Sequence, residues 1–148
     1  MMSMQEMSDR LEIQDLLTRY SYAVDEHDWD AFDEIFTPDA IIDYAETGGA
    51  RGTVPEIKAY LADVMPKFSG AQHMIATTKL KIEGDTASAK TILFNPLIMP
   101  VDGKDHVFFV GLWYRDKLVR TPKGWRIQDR YEERSYFFNQ PDSETPPE

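Results

Sequence analysis

The chain has 148 residues, a length that fits one domain and can bury a hydrophobic core without disulfides or metals. Its net charge of −10, from 16 Lys and Arg against 26 Asp and Glu, would repel phosphate groups, so we expect neither nucleic acid nor a membrane as a partner. The absence of cysteine excludes disulfides, thiolate zinc sites and a thiol nucleophile. We see no secretory signal and no apolar run of the ~20 residues that cross a bilayer, and we expect a cytoplasmic protein.

The first predicted element is an amphipathic helix over residues 8–24. Most of its apolar residues recur at i, i+3 and i+4, which places them on one face: Leu11, Ile13, Leu16, Leu17, Tyr20 and Val24. We expect Ser8 to cap this helix and Asp9 to lie in its first turn, where the helix dipole favours a negative charge. The acidic segment 25–28 interrupts the pattern, and Asp25 stands at this break.

A second, shorter helix is predicted from a cap at Asp28 to about Phe36. Residues 37–39 should end it, because they contain a proline, which cannot continue the helical hydrogen-bond ladder. Residues 40–44 are rich in β-branched side chains and predict a first strand.

A third helix should begin at Thr53, because Glu56 three residues later completes a capping-box pattern, and it should stop before Pro66. Beyond residue 71 the sequence consists of long runs rich in β-forming residues, separated by short turns. These runs cover residues 72–82, 86–98, 106–120 and 125–138. Short turns favour antiparallel neighbours.

Helices first and strands afterwards predict an α+β fold. We expect a cone-shaped, curved antiparallel β-sheet packed against three N-terminal helices, with an apolar cavity at its open end as a small-molecule site. One domain should span 1–148, with an ordered core over residues 8–138. The acidic, proline-rich tail at 139–148 should be disordered.

Several motifs occur in a telling order: A-V-D-E-H-D-W-D, then F-T-P-D-A-I-I-D-Y, then A-Q-H-M-I-A-T, and G-W-R-I in the last strand. Over residues 7–138 the chain resembles the SnoaL-like branch of the nuclear transport factor 2-like superfamily. Within that branch it is most similar to the scytalone dehydratases and their bacterial relatives, and the branch also includes a hexachlorocyclohexane dehydrochlorinase. The resemblance implies a homodimer or homotrimer.

The resemblance also implies an aspartate–histidine dyad. Asp25 matches the aspartate that precedes D-W-D, and His73 matches the histidine of the Q-H motif. Tyr44 matches the tyrosine of I-D-Y, which in the dehydratase helps to hold a water on the substrate carbonyl. An aspartate bonded to one imidazole nitrogen fixes the tautomer and leaves the other nitrogen as a base near neutral pH. We therefore expect a catalytic set of His73, Asp25 and Tyr44, with Tyr20 as the second candidate for stabilising an oxyanion.

The chain also departs from that pattern. Val24 stands where the dehydratase has a second tyrosine, and residues 86–99 lack its second histidine. The apolar segment 108–110 stands where it has a serine and an asparagine. The dehydrochlorinase has a lysine roughly where Tyr20 stands. Since the dyad is kept while the substrate-holding groups differ, scytalone itself is not the expected substrate.

Each candidate has a structural interpretation as well. His73 alone fits a core histidine, and Asp25 alone fits a helix-terminal cap. His27 and His106 lie beside polar turns, and we expect no chemical role for them. The three histidines form no metal-ligand pattern and no phosphate-binding glycine motif occurs, so we predict no metal and no cofactor.

The candidate substrate-binding residues are mostly aromatic: Tyr20, Val24, Trp29, Phe94, Phe109, Trp113 and Arg130. Aromatic residues at helical spacing are more often core than pocket. On the strands, alternation alone does not identify the face that lines the cavity, because one bulge would invert it. Arg130 fits either a substrate anion or a surface ion pair.

Three functions remain. The leading one is a cofactor-independent lyase or isomerase acting on a small apolar or cyclic carbonyl compound, or a halogenated one, with His73 as the base. The second is a binding module that holds an apolar ligand unchanged. The third is an assembly role for the convex face of the sheet.

Overall fold

The structure, a computed structural model, describes residues 1–142; the predicted disordered tail includes residues 143–148, which lie outside this range. Its helices are α1 (Met4–Asp25), α2 (Phe32–Ile35) and α3 (Val54–Val64). Its strands are β1 (Phe36–Asp43), β2 (Arg51–Thr53), β3 (Gly70–Ala71), β4 (Met74–Glu83), β5 (Thr86–Val101), β6 (Lys104–Thr121) and β7 (Gly124–Phe138). Over the described residues, no helix has both the length and the apolar character needed to cross a bilayer.

Helix α1 begins earlier than predicted. Ser3 is its N-cap, and the Ser3 hydroxyl accepts the Glu6 backbone N–H at 3.1 Å. The prediction of Ser8 as the cap is therefore wrong, because Ser8 lies inside the helix. The earlier serine with a glutamate three residues later is the better capping sequence.

Asp9 is buried rather than exposed in a first turn. Its carboxylate accepts hydrogen bonds from the Arg120 guanidinium at 2.6 and 2.9 Å and from the Trp125 indole at 3.0 Å. The guanidinium is the main reason that the pKa of Asp9 lies well below its usual range. This network fixes the N-terminal part of α1 to the sheet where β6 ends and β7 begins.

The second helix is shorter than predicted. Asp28 accepts the Ala31 backbone N–H at 3.3 Å, but the helix itself covers only Phe32–Ile35. The helix ends before Pro38, as expected, but Phe36 already starts β1, so the predicted strand start at residue 40 is wrong and residues 37–39 belong to the strand. Pro38 is exposed there, where the register between β1 and β7 shifts, and such irregular positions tolerate a residue without an N–H.

The capping box of α3 is confirmed. The Thr53 backbone N–H donates to Glu56 Oε2 at 2.8 Å. The α-helix ends at Val64, and a 3₁₀ turn over Met65–Lys67 contains Pro66.

The sheet has the strand order β2-β1-β7-β6-β5-β3, with β4 also paired to β5. Three helices beside this large sheet confirm the α+β fold. The sheet is not closed, and it is mixed rather than wholly antiparallel, because β1 and β7 run parallel. Most of the chain lies between these two strands, so no short hairpin forces them to be antiparallel.

Two bulges decide which side chains of β7 face the helices. Trp125 and Ile127 point inward, but the pairing with β6 then skips Gln128, and the inward positions become Arg130 and Glu132. A second skip, at Ser135, restores the original alternation. Odd-numbered residues of β7 therefore face inward up to Ile127, even-numbered residues do so at Arg130 and Glu132, and odd-numbered residues do so again at Phe137.

Candidate active site

A cavity of about 370 Å³ lies between α1, α3 and the inner face of the sheet. Much of its wall is apolar, from residues that include Val24, Leu61, Met65, Phe68, Leu97, Phe108 and Val110. Polar groups also reach it: Tyr20, Tyr44, Thr47, Tyr60, His73, Asn95 and Glu132. Among the described residues, no lysine or arginine lines it. A mostly apolar cavity with a few polar groups is the usual form of a small-molecule site.

Asp25 and His73 are in direct contact. His73 Nδ1 lies 2.6 Å from Asp25 Oδ1, and the His73 backbone N–H donates to Asp25 Oδ2 at 2.9 Å. Asp25 is the last residue of α1, and the Ser21 hydroxyl, one helical turn earlier, donates to the His73 carbonyl at 2.9 Å. The helix therefore holds both the ring and the backbone of His73 just before β4 begins.

The aspartate also determines which imidazole nitrogen is free. A carboxylate at Nδ1 assigns the proton of the neutral ring to Nδ1, so that Nε2 keeps its lone pair. The Asn95 amide nitrogen lies 3.4 Å from Nε2, a long contact that a substrate could replace. The Asn95 Oδ1 atom is buried without a partner among the described residues.

Two tyrosines meet at the cavity wall. The hydroxyls of Tyr20, on α1, and Tyr44, just after β1, are hydrogen-bonded to each other. Burial raises the pKa of Tyr20 to about 12 and the pKa of Tyr44 well above its usual value. Both phenols therefore stay protonated at neutral pH and can donate hydrogen bonds.

Glu132 is a buried acid that lines the cavity, and the sequence did not single it out. Its Oε2 atom is hydrogen-bonded to the Thr47 hydroxyl. Burial raises the pKa of Glu132 to about 7. The carboxyl group is therefore protonated in a large share of molecules near neutral pH.

Arg130 does not line the cavity, and the expectation that it meets substrate or lies on the surface is not supported. It is fully buried and forms two hydrogen bonds of 2.8 Å to the Asp116 carboxylate. Its guanidinium carbon lies 4.0 and 3.9 Å from the ring centroids of Tyr20 and Tyr114. Arg130 instead supports the wall from behind by packing against Tyr20.

Four other predicted pocket residues also lie outside the cavity wall. Trp29 is half-buried beside α2, stacked on His27. Phe94, Phe109 and Trp113 point to the opposite face of the sheet, because the inward residues of β5 and β6 are their neighbours along each strand. By contrast, the predicted residues Tyr20, Val24, Tyr44 and His73 do line the cavity, and Asp25 contacts His73.

Sequence reasoning missed the polar residues Asn95, Glu132, Tyr60 and Thr47. Asn95 carried one usable signal: a polar residue among the apolar inward positions Leu93 and Leu97. Glu132 carried none, because the bulge at Gln128 alone turns it inward. Within residues 1–142, no cluster of three or more His, Asp or Glu side chains is arranged to hold a metal.

The family follows from the sequence match. Residues 5–131 match the model of the SnoaL-like domain, so the chain belongs to this family, within the nuclear transport factor 2-like superfamily. It is 47% identical over 136 residues to a protein of Mycobacterium tuberculosis named uncharacterized protein Rv2910c, covering 92% of each chain.

Solved structures share the fold. One is a candidate scytalone dehydratase from Novosphingobium aromaticivorans, with a TM-score of 0.82 and 17% identity over 96% of this chain and 94% of that one. Another is a type 2 hexachlorocyclohexane dehydrochlorinase, with a TM-score of 0.79 and 19% identity over 96% of this chain and 95% of that one. At these identities the likeness establishes the architecture only.

Proposed function

We propose that the protein is a cofactor-independent lyase or isomerase for a small apolar or cyclic carbonyl compound. The observation that carries the proposal is the 2.6 Å contact between Asp25 and His73 at a cavity that His73 lines. In this arrangement His73 Nε2 is the general base and Asp25 stabilises the imidazolium that forms. The names of the two structural neighbours, a dehydratase and a dehydrochlorinase, belong to the same reaction class.

The chemistry begins with removal of a proton α to a carbonyl group. His73 Nε2 takes the proton, and the electron pair moves toward the carbonyl oxygen. Tyr44, with Tyr20 behind it, donates a hydrogen bond to the developing oxyanion. In elimination, the enolate electron pair forms a carbon–carbon double bond as the β-substituent leaves, and the His73 imidazolium returns its proton to that leaving group. In isomerisation, the imidazolium returns the proton to another carbon of the enolate.

The test detects proton abstraction through deuterium uptake, so that it does not require the natural substrate to be known. The protein is incubated in D₂O with cyclic ketones, β-hydroxy ketones and chlorinated cyclohexanes, and deuterium uptake and product formation are followed by NMR. We expect His73→Ala to lower the rate by about 10²–10⁴-fold with a nearly unchanged melting temperature. His106→Ala is the matched control, because His106 is bonded to the Asn139 carbonyl away from the cavity. Activity retained in His73→Ala would refute the proposal.

A binding module is the second candidate. Phe108 and Val110, which replace polar groups of the dehydratase pattern, line the cavity and favour retention of an apolar ligand. Native mass spectrometry of the purified protein would detect a bound small molecule. If that molecule is recovered chemically unchanged after long incubation, and no compound of the panel exchanges deuterium, binding replaces catalysis as the function.

We also keep the expectation of a homodimer or homotrimer in the cytoplasm. Support comes from the outer sheet face, where Ile92 and Val107 are each 42% exposed and Phe138 is 61% exposed beside Phe109. Exposed apolar groups in such number favour a partner surface. Light scattering after size exclusion measures the mass; a monomer at micromolar concentration would contradict this expectation, and one fixed hetero-partner would favour the assembly role.

A further inference from the structure

We propose that Glu132 acts in its protonated form as the hydrogen-bond donor that makes this cavity select uncharged ligands that accept a hydrogen bond, such as ketones, over carboxylates. The inference rests on the proposed use of the cavity as the ligand site. It holds equally for an enzyme and for a binding module, so that its test needs no turnover.

The first argument is the lack of a positive charge. Glu132 lines the cavity, and within residues 1–142 no lysine or arginine forms an ion pair with it. Arg130, two residues before Glu132 on the strand, is held by Asp116 and packs against the rings of Tyr20 and Tyr114. A buried carboxylate without a cation is costly, whereas a neutral carboxyl group is not.

The second argument is the Thr47 hydroxyl. Its oxygen is hydrogen-bonded to Glu132 Oε2 and lies 3.0 Å from the Tyr44 carbonyl, which can only accept. The hydroxyl has one proton, which can point to the carbonyl or to Glu132 Oε2. When it points to Oε2, that oxygen is an acceptor, and the single proton of the neutral carboxyl group is on Oε1, where it can be donated to a ligand. Thr47 can donate to Oε2 in the same way when Glu132 is ionised, so it partners both protonation states.

The third argument is the free oxygen. Among the described residues, no hydrogen bond reaches Glu132 Oε1, and this atom is not sealed from its surroundings as the Asn95 Oδ1 atom is. It belongs to a residue of the cavity wall. Oε1 is thus the oxygen that a ligand can meet, in a cavity whose wall also includes Tyr20 and Tyr44.

Burial is the main influence on the pKa of Glu132 and raises it to about 7. Charged and titratable groups on the neighbouring elements adjust this value. The groups that face it, or share its cavity, are Tyr20 of α1, Asp43 and Tyr44 of β1 and its end, Tyr60 of α3, His73 before β4, Tyr114 and Asp116 of β6, and Arg130 of β7. Asp43 and Asp116 reinforce the upward shift, and Arg130 opposes it.

The test uses 2-acetylnaphthalene, a ketone that can only accept a hydrogen bond, as a neutral probe and 1-naphthoate as an anionic one, with binding followed by fluorescence between about pH 5.5 and 8.5. We expect the affinity for the ketone to fall by about tenfold or more across this range, because the competent form of Glu132 is depleted. Naphthoate should bind weakly throughout. Glu132→Gln, whose amide donates at every pH, should bind the ketone with a flat pH profile.

The matched control is Glu133→Gln, one residue away on the outer face, where Glu133 pairs with Lys90 and Arg115. It should keep the wild-type profile. Infrared difference spectra over the same range should show a carboxylic-acid band lost near pH 7 in the wild type and absent in Glu132→Gln.

Three results would each overturn the inference: a flat wild-type profile, a Glu132→Gln profile that still falls, or stronger binding of naphthoate than of the naphthyl ketone. Absence of ketone binding at every pH would overturn it as well. None of these results bears on deuterium exchange by His73, so failure here and failure of the proposed reaction are distinguishable.

Discussion

Arg130 and Glu132 lie two residues apart on the inner face of β7, and both are buried, yet their surroundings differ. Arg130 has a carboxylate with two 2.8 Å hydrogen bonds, and its guanidinium packs against the rings of Tyr20 and Tyr114, although its Nη1 atom has no hydrogen-bond partner among the described residues. Glu132 has one threonine hydroxyl and a cavity. A buried charge paired with an opposite charge serves the fold, whereas a buried acid without a cation remains available to a ligand.

The largest effect should follow from breaking the buried ion pair between Arg130 and Asp116. Asp116→Asn keeps the shape of the side chain but leaves the Arg130 charge uncompensated in the core. We expect a loss of about 3–5 kcal/mol in the free energy of unfolding, measured with urea. Asp129→Asn, on the other face of β7, is the control and should change stability by less than about 0.5 kcal/mol. Equal losses for Asp116→Asn and Asp129→Asn would show that the buried pairing of Asp116 contributes nothing special to stability.

The second effect concerns Glu132, the buried acid without a cation. The folded protein holds a proton on Glu132 up to a pKa of about 7, whereas the unfolded chain releases it near 4.5. The folded state therefore binds more protons within this window, and its stability falls as the pH rises through it. Glu132→Gln removes this penalty, so the variant should gain up to about 3 kcal/mol on the wild type between pH 4.5 and 8. Denaturant unfolding at several pH values measures the difference; a constant difference would show that Glu132 titrates alike in both states.

A third experiment tests Asp9, another buried charge that is paired with an opposite charge. Asp9→Asn weakens the paired hydrogen bonds to Arg120, and we expect a loss of about 2 kcal/mol in the free energy of unfolding. Because the pKa of Asp9 is lowered in the fold, the contribution of this carboxylate is present above its ordinary pKa and is lost in acid. Asp15→Asn, which breaks an exposed pair with Arg19 on the same helix, should cost about 0.5 kcal/mol or less.

The smallest effect is expected at Asn95. Its 3.4 Å contact with His73 Nε2 is long, so Asn95→Ala should slow deuterium exchange by about tenfold, or about 1.4 kcal/mol. Stability should change by less than about 1 kcal/mol, because no other hydrogen bond of this side chain is lost. A loss as large as that of His73→Ala would move Asn95 from a positioning role to an essential one.

Local patterns predicted the helices and the long strands well. Apolar periodicity indicated α1, a capping box marked the start of α3, and short turns separated β4 to β7. The meeting of Asp25 and His73 was expected only through resemblance, because the two are 48 positions apart and no local rule joins them. Their catalytic role stays a prediction.

The pocket residues were predicted less well, for a physical reason. Alternation along a strand gives two faces but does not say which is the inner one, and the candidate substrate-binding residues Phe94, Phe109 and Trp113 lie on the outer face. Arg130 was expected at the substrate or on the surface because buried arginines are rare, and its partner Asp116 lies on another strand. Long-range pairing decides these positions, and a single sequence does not display it.

The bulge at Gln128 matters for how related sequences are compared. If β7 were regular with every residue paired, alternation from Ile127 would turn Asp129 and Tyr131 toward the helices and send Arg130 and Glu132 to the outer face. Deletion of Gln128 itself would leave Arg130 and Glu132 on the inner face, because Gln128 is the residue that the pairing skips. When SnoaL-like sequences are aligned, a gap opposite Gln128 is therefore compatible with the same cavity lining, whereas a one-residue gap between Arg130 and Glu132 would turn the glutamate outward.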